Sequence, residues 1–165
     1  MKVTAVVPAA GAGRRISKKK GERKPFLVLD NEPILIHTLS ALERSGLIND
    51  IIAVVYRDDI TKWRALIKRF GLRKVKEITA GGRTRYDSVK NGLSQVGGDC
   101  DIVLIHDGVR PFIDSKMICG SIEACRRFGA AVCGVPVTST VKEITGDLMV
   151  KATPDRRGLY MTMPR

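Results

Sequence analysis

A run of small residues followed by basic ones, near the N-terminus, has the composition of a phosphate-binding loop. Residues 8–15 read PAAGAGRR, and Lys24 adds a further cation. Small side chains let backbone N–H groups approach phosphate oxygens, and the cations neutralise the phosphate charge. A dinucleotide-binding loop would have glycine at Ile16, and a Walker loop would end in Gly-Lys-Ser or Gly-Lys-Thr. Gly-x-Gly alone also suits an ordinary turn, but with the later cations it is a more specific sign of phosphate binding.

Two further polar clusters follow predicted strands. Residues 81–88 (GGRTRYDS) place two glycines between a strand and a helix, where they could also form only a turn. Residues 106–111 (HDGVRP) contain a His-Asp pair, which suggests a general base. Because neighbouring side chains of a strand point to opposite sides, we favour no direct chemical role for His106.

These clusters lie within a regular alternation of predicted strands and helices. β-Branched and apolar runs predict strands at residues 2–8, 51–56, 74–79, 102–106 and 130–136. Apolar residues at helical spacing predict helices over residues 35–42, 63–70, 89–96 and 115–128. The alternation predicts an α/β fold, a Rossmann-like three-layer sandwich with a mostly parallel twisted sheet. Ligands bind beyond the carboxyl ends of such strands, where the three clusters fall.

The pattern changes after Pro136 and predicts a protruding β-hairpin arm. Residues 140–144 and 148–152 flank a Thr-Gly-Asp turn. Residues 138–157 hold too few apolar side chains for a core of their own, and a lone hairpin is marginal in water. We therefore expect one domain over residues 1–165 whose arm, 138–157, packs on a second subunit as a dimerisation element.

The net charge of +12 fits either a nucleic-acid surface or a site for a polyanionic small molecule. Single-strand binders interleave stacking aromatics with cations, and only 5% of this chain is aromatic, which favours the small molecule. No apolar run is long enough to cross a bilayer. The four cysteines lack metal-ligand spacing, and free thiols suit a reducing cytoplasm.

Five separated motifs together resemble the 2-C-methyl-D-erythritol 4-phosphate cytidylyltransferase family of non-mevalonate isoprenoid biosynthesis, within the sugar-nucleotide pyrophosphorylases. They are the three clusters and two strings in the arm, residues 140–142 (TVK) and 153–156 (TPDR). The resemblance implies an enzyme that transfers CMP from CTP to the erythritol phosphate, giving the CDP-alcohol and pyrophosphate. It also implies a cytoplasmic homodimer.

The resemblance further implies roles for individual residues. Arg15 and Lys24 would be catalytic, holding the oxygens of the reacting phosphorus. CTP would contact Ala9, Ala10, Gly11, Gly82, Ser88, Asp107 and Gly108. The acceptor would contact Asp107, Arg110, Thr140 and Arg156, the last of these reaching the neighbouring subunit's site. Mg²⁺ would be bound mainly through the CTP phosphates, because Mg²⁺ often uses substrate phosphates with few carboxylates.

The chain departs from the family's pattern at three places. Proline follows Lys24 instead of preceding it, and Ser139 stands where the family has Asp. The family continues with Gln-Thr-Pro-Gln, whereas this chain reads TMPR over residues 162–165. We therefore expect that the family's C-terminal segment, which carries an acceptor-site threonine and a phosphate-holding lysine, is missing through truncation or damage.

Two alternatives stay open at this point. A ribitol-5-phosphate cytidylyltransferase shares nearly every motif, although residues 155–160 (DRRGLY) favour the erythritol enzyme. A non-catalytic, basic nucleotide- or RNA-binding relic is compatible with the net charge of +12.

Overall fold

The computed structural model describes residues 1–11 and 23–162, which form two compact units, residues 1–122 and 123–165. The strands of the first unit are β1 (Val3–Pro8), β2 (Val28–Leu29), β3 (Glu32–Pro33), β4 (Asp50–Val55), β5 (Val75–Ala80) and β6 (Ile102–Ile105). Its helices are α1 (Ile34–Arg44), α2 (Ile60–Arg69) and α3 (Arg85–Leu93), and α4 (Ser115–Phe128) crosses the boundary between the units. Short 3₁₀ turns lie at Lys24–Phe26 and Arg57–Asp59.

Four strands of the described first unit form a parallel sheet in the order β5-β4-β1-β6. The central strand β1 is nearly fully buried, as expected for a parallel strand covered on both faces. Successive side chains of a strand point to opposite faces. Val3, Ala5 and Val7 belong to a large apolar cluster with α1, α2 and the first part of α4, whereas Val6 packs towards α3. The three-layer α/β fold is thereby confirmed.

Helix α3 packs closely on the second face of the sheet. A Cβ atom placed on Gly92 would lie 2.4 Å from Cγ1 of Val6 and 2.9 Å from Cγ2 of Val54. The helix begins at Arg85, earlier than the predicted residue 89, because Thr84 and Asp87 form a capping box. This early start brings the helix N-terminus next to the end of β5.

The second unit contains two small antiparallel pairs. Its strands are β7 (Gly134–Pro136), β8 (Glu143–Ile144), β9 (Val150–Ala152) and β10 (Tyr160–Thr162), with a 3₁₀ turn at Arg156–Gly158. β7 pairs with β10, and β8 pairs with β9 to form the hairpin predicted within residues 138–157. Ile144, Leu148, Met149 and Val150 are more than half exposed, so the hairpin buries little apolar surface within its own unit.

Two sequence expectations need correction. The strand predicted over residues 130–136 is only β7, and it pairs antiparallel with β10 instead of joining the parallel sheet. The β2–β3 hairpin was not predicted; its turn has Asp30 and Asn31 at φ 48° and 64°, a conformation that these two residue types tolerate well. Among the described residues, no helix combines the length and apolar character needed to cross a membrane.

Candidate functional site

The loops that follow β1, β5 and β6 meet at the carboxyl edge of the parallel sheet. The backbone N–H of Ala9 donates to the carbonyl of Val54 at 2.7 Å, and that of Gly81 donates to Val55 at 2.8 Å. The N–H of Gly108 donates to the carbonyl of Pro8 at 3.0 Å. The ladder therefore continues past the strand ends and brings together predicted site residues from all three clusters. They are Ala9, Ala10, Gly82, Ser88, Asp107, Gly108 and Arg110.

Glycine is required where these loops touch. A Cβ atom on Gly81 would lie 2.1 Å from the Cβ of Ala10, and one on Gly108 would lie 2.7 Å from the Cβ of Ala9. Real Cβ atoms do not approach this closely, so the two glycines and the two alanines allow the backbones to come together. The result is a narrow floor made of backbone groups and small side chains, which suits the close approach of a planar base or a phosphate chain.

Ser88 fastens the glycine turn to α3. Its buried hydroxyl donates to the carbonyl of Thr84 at 3.0 Å and accepts from the N–H of Gly82 at 3.1 Å. Asp87 completes the cap, and its hydrogen bonds with the hydroxyl and N–H of Thr84 lower the pKa of the Asp87 carboxyl. A hydroxyl oxygen has two lone pairs, so Ser88 keeps the capacity for one further hydrogen bond to a ligand.

Asp107 lies between two arginines. Its Oδ1 accepts from Arg85 Nε at 3.0 Å and lies 2.9 Å from a terminal guanidinium nitrogen of Arg85, while Oδ2 accepts from Arg110 Nε at 3.1 Å. The three side chains together carry one net positive charge, and the carboxylate orients both guanidinium groups. Arg85 was not assigned a role from the sequence, although it is the second arginine of the GGRTRYDS string. Guanidinium groups also donate charge-assisted hydrogen bonds to phosphate oxygens, so two arginines held in place by one carboxylate suit a phosphate-binding role.

His106 has a structural place in the site. Its imidazole is only 6% exposed, and Nε2 lies 2.9 Å from the carbonyl oxygen of Arg110. Because a carbonyl can only accept, Nε2 carries the hydrogen and donates it. Burial lowers the pKa of His106 below its usual 6.5, so the ring is neutral at pH 7. It braces the loop that carries Asp107 and Arg110, and the expectation that it has no direct chemical role stays a prediction.

Lys24 opens the 3₁₀ turn Lys24–Phe26 and is half-buried. The turn is closed by the N–H of Leu27, which donates to the carbonyl of Lys24 at 3.0 Å. Arg23, immediately before it, contacts residues that follow the carboxyl end of β4. The backbone segment that carries Lys24 is therefore anchored, through Arg23, at the carboxyl end of β4.

The other predicted site residues lie in the first loop, in the second unit or outside the described residues. Gly11 is exposed at the end of the first loop, and Arg15 falls within residues 12–22, which are not described. Thr140 and Arg156 belong to the second unit, where Thr140 is exposed and the guanidinium of Arg156 donates to the carbonyl of Thr138. The roles assigned to these four residues, like those of the other predicted site residues, stay predictions.

A protein-built metal centre is absent from residues 1–11 and 23–162, where no group of three or more His, Cys, Asp or Glu side chains could hold an ion. Mg²⁺ held mainly through the CTP phosphates stays a prediction from the sequence.

Comparison with known proteins identifies the family. The family model for 2-C-methyl-D-erythritol 4-phosphate cytidylyltransferase matches residues 3–164. Relatives with that name from Alkaliphilus metalliredigens and Syntrophus aciditrophicus are each 42% identical, over 96% and 97% of this chain. The chain spans 66% and 68% of their lengths, or about two thirds.

A solved structure extends the similarity to the fold. The 4-diphosphocytidyl-2C-methyl-D-erythritol synthase of Anaerococcus prevotii superposes with a TM-score of 0.83 at 27% identity, over 99% of this chain and 68% of that one. The sequence resemblance and the α/β fold are thus confirmed by independent comparisons of sequence and structure. The chain belongs to the 2-C-methyl-D-erythritol 4-phosphate cytidylyltransferase family, a family of nucleotidyltransferase enzymes.

Proposed function

We propose that this protein transfers CMP from CTP to 2-C-methyl-D-erythritol 4-phosphate and releases pyrophosphate. The observation that carries the proposal is the family match over residues 3–164, which includes the three loops that meet at the carboxyl edge of the sheet. The names of the relatives favour the erythritol phosphate over ribitol 5-phosphate as the acceptor.

The reaction in this site is an in-line displacement at the α-phosphorus of CTP. An oxygen of the acceptor phosphate forms the new P–O bond, and the bond from the α-phosphorus to the bridging oxygen breaks as pyrophosphate leaves with the electron pair. The attacking oxygen is already anionic at neutral pH, so no protein base is needed. Catalysis then consists of positioning and of charge stabilisation by Lys24 and Arg15.

The carboxyl edge supplies the binding groups. The Ala9-Ala10 and Gly81-Gly82 segments would receive the cytosine and the phosphates through backbone groups, with Ser88 adding a hydroxyl. Asp107 would bind ribose and acceptor, while Arg85 and Arg110, which it orients, would face the acceptor phosphate. Mg²⁺, held through the triphosphate, would neutralise charge that develops on the phosphate oxygens.

A pyrophosphate-release assay tests the proposal directly. CTP and Mg²⁺ are supplied with either 2-C-methyl-D-erythritol 4-phosphate or ribitol 5-phosphate, and the same reactions are run with excess EDTA. Release is expected only with the erythritol phosphate and only with Mg²⁺. Release with ribitol phosphate would identify the sister enzyme, and CTP binding without release from either acceptor would favour a non-catalytic relic.

CTP should bind more tightly than UTP, ATP or GTP. The Ala9-Ala10 and Gly81-Gly82 segments would form a floor shaped for the single ring of a pyrimidine, and the double ring of a purine would extend beyond it. Uracil fits the space but leaves hydrogen-bonding groups unpaired, at about 1–3 kcal/mol per buried group. Calorimetric titration of the four nucleotides with Mg²⁺ measures the difference, and equal affinities would refute a pyrimidine-specific site.

The arm should complete the site of a second subunit. The hairpin exposes Ile144, Leu148, Met149 and Val150, which a partner subunit would cover. The family resemblance implies that Arg156 then reaches the partner's acceptor. Mixing Arg156→Ala chains with Lys24→Ala chains is then expected to restore activity, because about a quarter of all sites in randomly mixed dimers have both residues intact.

Each variant mixed with itself is the control for this experiment. The rescue should require dissociation and reassociation, so it should develop with incubation time after mixing. A monomer by light scattering, or no rescue at any time, would exclude the shared site.

Residence in the cytoplasm stays a prediction from the sequence.

A further inference from the structure

The 3₁₀ turn that presents Lys24 is held at both of its ends. Before it, the guanidinium carbon of Arg23 lies 3.7 Å from the centroid of the Tyr56 ring, and the same guanidinium forms an ion pair with Asp59. Within it, the Phe26 ring stacks on Trp63 with centroids 4.3 Å apart and planes inclined by 21°. Lys24 itself is the one residue between Arg23 and Pro25, so its backbone has little freedom while both contacts hold.

The Arg23 contact depends on the chemistry of arginine. Asp59 is only 6% exposed, and a buried carboxylate is stable only when it is paired. A guanidinium is planar, so it can stack on the Tyr56 ring and donate to Asp59 with its edge at the same time. A lysine ammonium could pair with Asp59 but would lose the stacking.

The Arg23 contact also lies at the carboxyl edge of the sheet, on which the loops of the candidate site meet. Tyr56 directly follows β4, and Asp59 ends the turn Arg57–Asp59 that leads into α2. Both lie at the carboxyl end of a strand whose last carbonyl binds Gly81 of the candidate site. The Arg23 side chain thus ties the end of the segment that carries Lys24 to the same sheet edge as the binding loops.

We propose that Arg23 is a positioning residue for the transferase reaction. Through its contacts with Tyr56 and Asp59, Arg23 aligns Lys24. The family's pattern has proline before the lysine, and proline restricts the backbone by its ring. In this chain the restraint comes from the side-chain contacts of Arg23. The inference rests on the proposed function, because it requires that Lys24 act on the phosphate.

Kinetics of three variants separate positioning from substrate binding. Arg23→Met keeps an unbranched side chain but removes its charge, Arg23→Lys keeps the charge, and Arg57→Met changes an exposed arginine of the neighbouring turn as a control. Arg23→Met should lower kcat by about 10- to 100-fold, because displacing a catalytic group by about 1 Å costs up to about 10²-fold, with a smaller change in KM for CTP. Arg23→Lys should recover part of kcat, and Arg57→Met should behave as the unmodified chain.

A double-mutant cycle shows whether the effect passes through Lys24. In a Lys24→Ala background, Arg23→Met should cause no further loss, because there is no ammonium left to align. The same fold-loss in both backgrounds would overturn the proposal. If Lys24→Ala alone left turnover normal, the catalytic assignment of Lys24 would fail; if Lys24→Ala were slow and Arg23→Met were normal, only the positioning role would fail.

Fluorescence gives a readout that needs no turnover. Trp63 is the single tryptophan of the chain and is only 1% exposed beneath Phe26. Loosening the turn in Arg23→Met should increase acrylamide quenching of Trp63, whereas Arg57→Met should leave it unchanged. Unchanged quenching in Arg23→Met would overturn the proposal. If that variant is unfolded at the assay temperature, Asp59→Asn removes the ion pair without leaving a buried charge, and the same expectations apply to it.

Discussion

Turnover is expected to fall by about 10²- to 10³-fold when Lys24 is replaced by alanine, the usual cost of losing one preorganised donor to a reacting oxygen. KM for CTP should change less, because backbone groups and the loop after β1 still bind the nucleotide. Lys24 lies in a short turn that is anchored by its neighbours, so the substitution should leave the thermal unfolding midpoint nearly unchanged. Steady-state pyrophosphate release and a thermal melt measure the two quantities.

Lys62→Ala is the matched control, because Lys62 is an exposed lysine on α2. It removes the same charge from the protein and should leave kcat unchanged. Near-normal turnover in Lys24→Ala would remove this residue from the catalytic set. Arg15→Ala is also expected to lower turnover by about 10²- to 10³-fold, an expectation that rests on the sequence motif alone.

The second large effect is expected from adding one methyl group at the carboxyl edge. In Gly81→Ala the new Cβ would lie 2.1 Å from the Cβ of Ala10 and 2.8 Å from Oγ of Ser88. Neither neighbour is a flexible side-chain end: one is fixed to its backbone, and the other is held by two hydrogen bonds. Relief of the overlap requires the loops after β1 and β5 to separate, at about 1–3 kcal/mol. CTP affinity and the free energy of unfolding should both decrease.

Gly46→Ala provides the control, since a Cβ on Gly46 would have no heavy atom within 4 Å. Isothermal titration with CTP and urea unfolding of both variants check the prediction. Gly81→Ala with unaltered CTP affinity would show that this contact does not form part of the nucleotide site.

Most of the parallel core could be predicted from the sequence, because its elements have strong local signals. α4 begins and ends where its apolar spacing indicates, at Ser115–Phe128, and β1 and β6 follow their apolar runs. The two-residue strands of the β2–β3 hairpin have no comparable pattern. The run over residues 130–136 suggested a longer strand. The observed strand β7 has only three residues, because β10 pairs with only three residues of this run.

The candidate site was predictable to the extent that it follows from strand ends. The meeting of the three loops follows from parallel topology, in which ligands bind at the carboxyl edge. The pairing of Arg85 with Asp107 joins α3 to the loop after β6, and no local pattern encodes that distance. The same is true of Arg23 and Asp59, which are 36 residues apart in the chain.

The position of β1 in the sheet has a consequence for the newly synthesised chain. β1 is synthesised before both of its neighbours in the sheet, because it pairs with β4 and with β6, whose last paired residue is Ile105. At translation rates of roughly 5–20 residues per second, the strand waits about 5–20 s for its second neighbour. During that time the backbone edge of β1 that will pair with β6 is unpaired, and the apolar side chains of Val3, Val6 and Val7 can contact other chains. Production of this protein should therefore depend on chaperones more than its stability once folded would suggest.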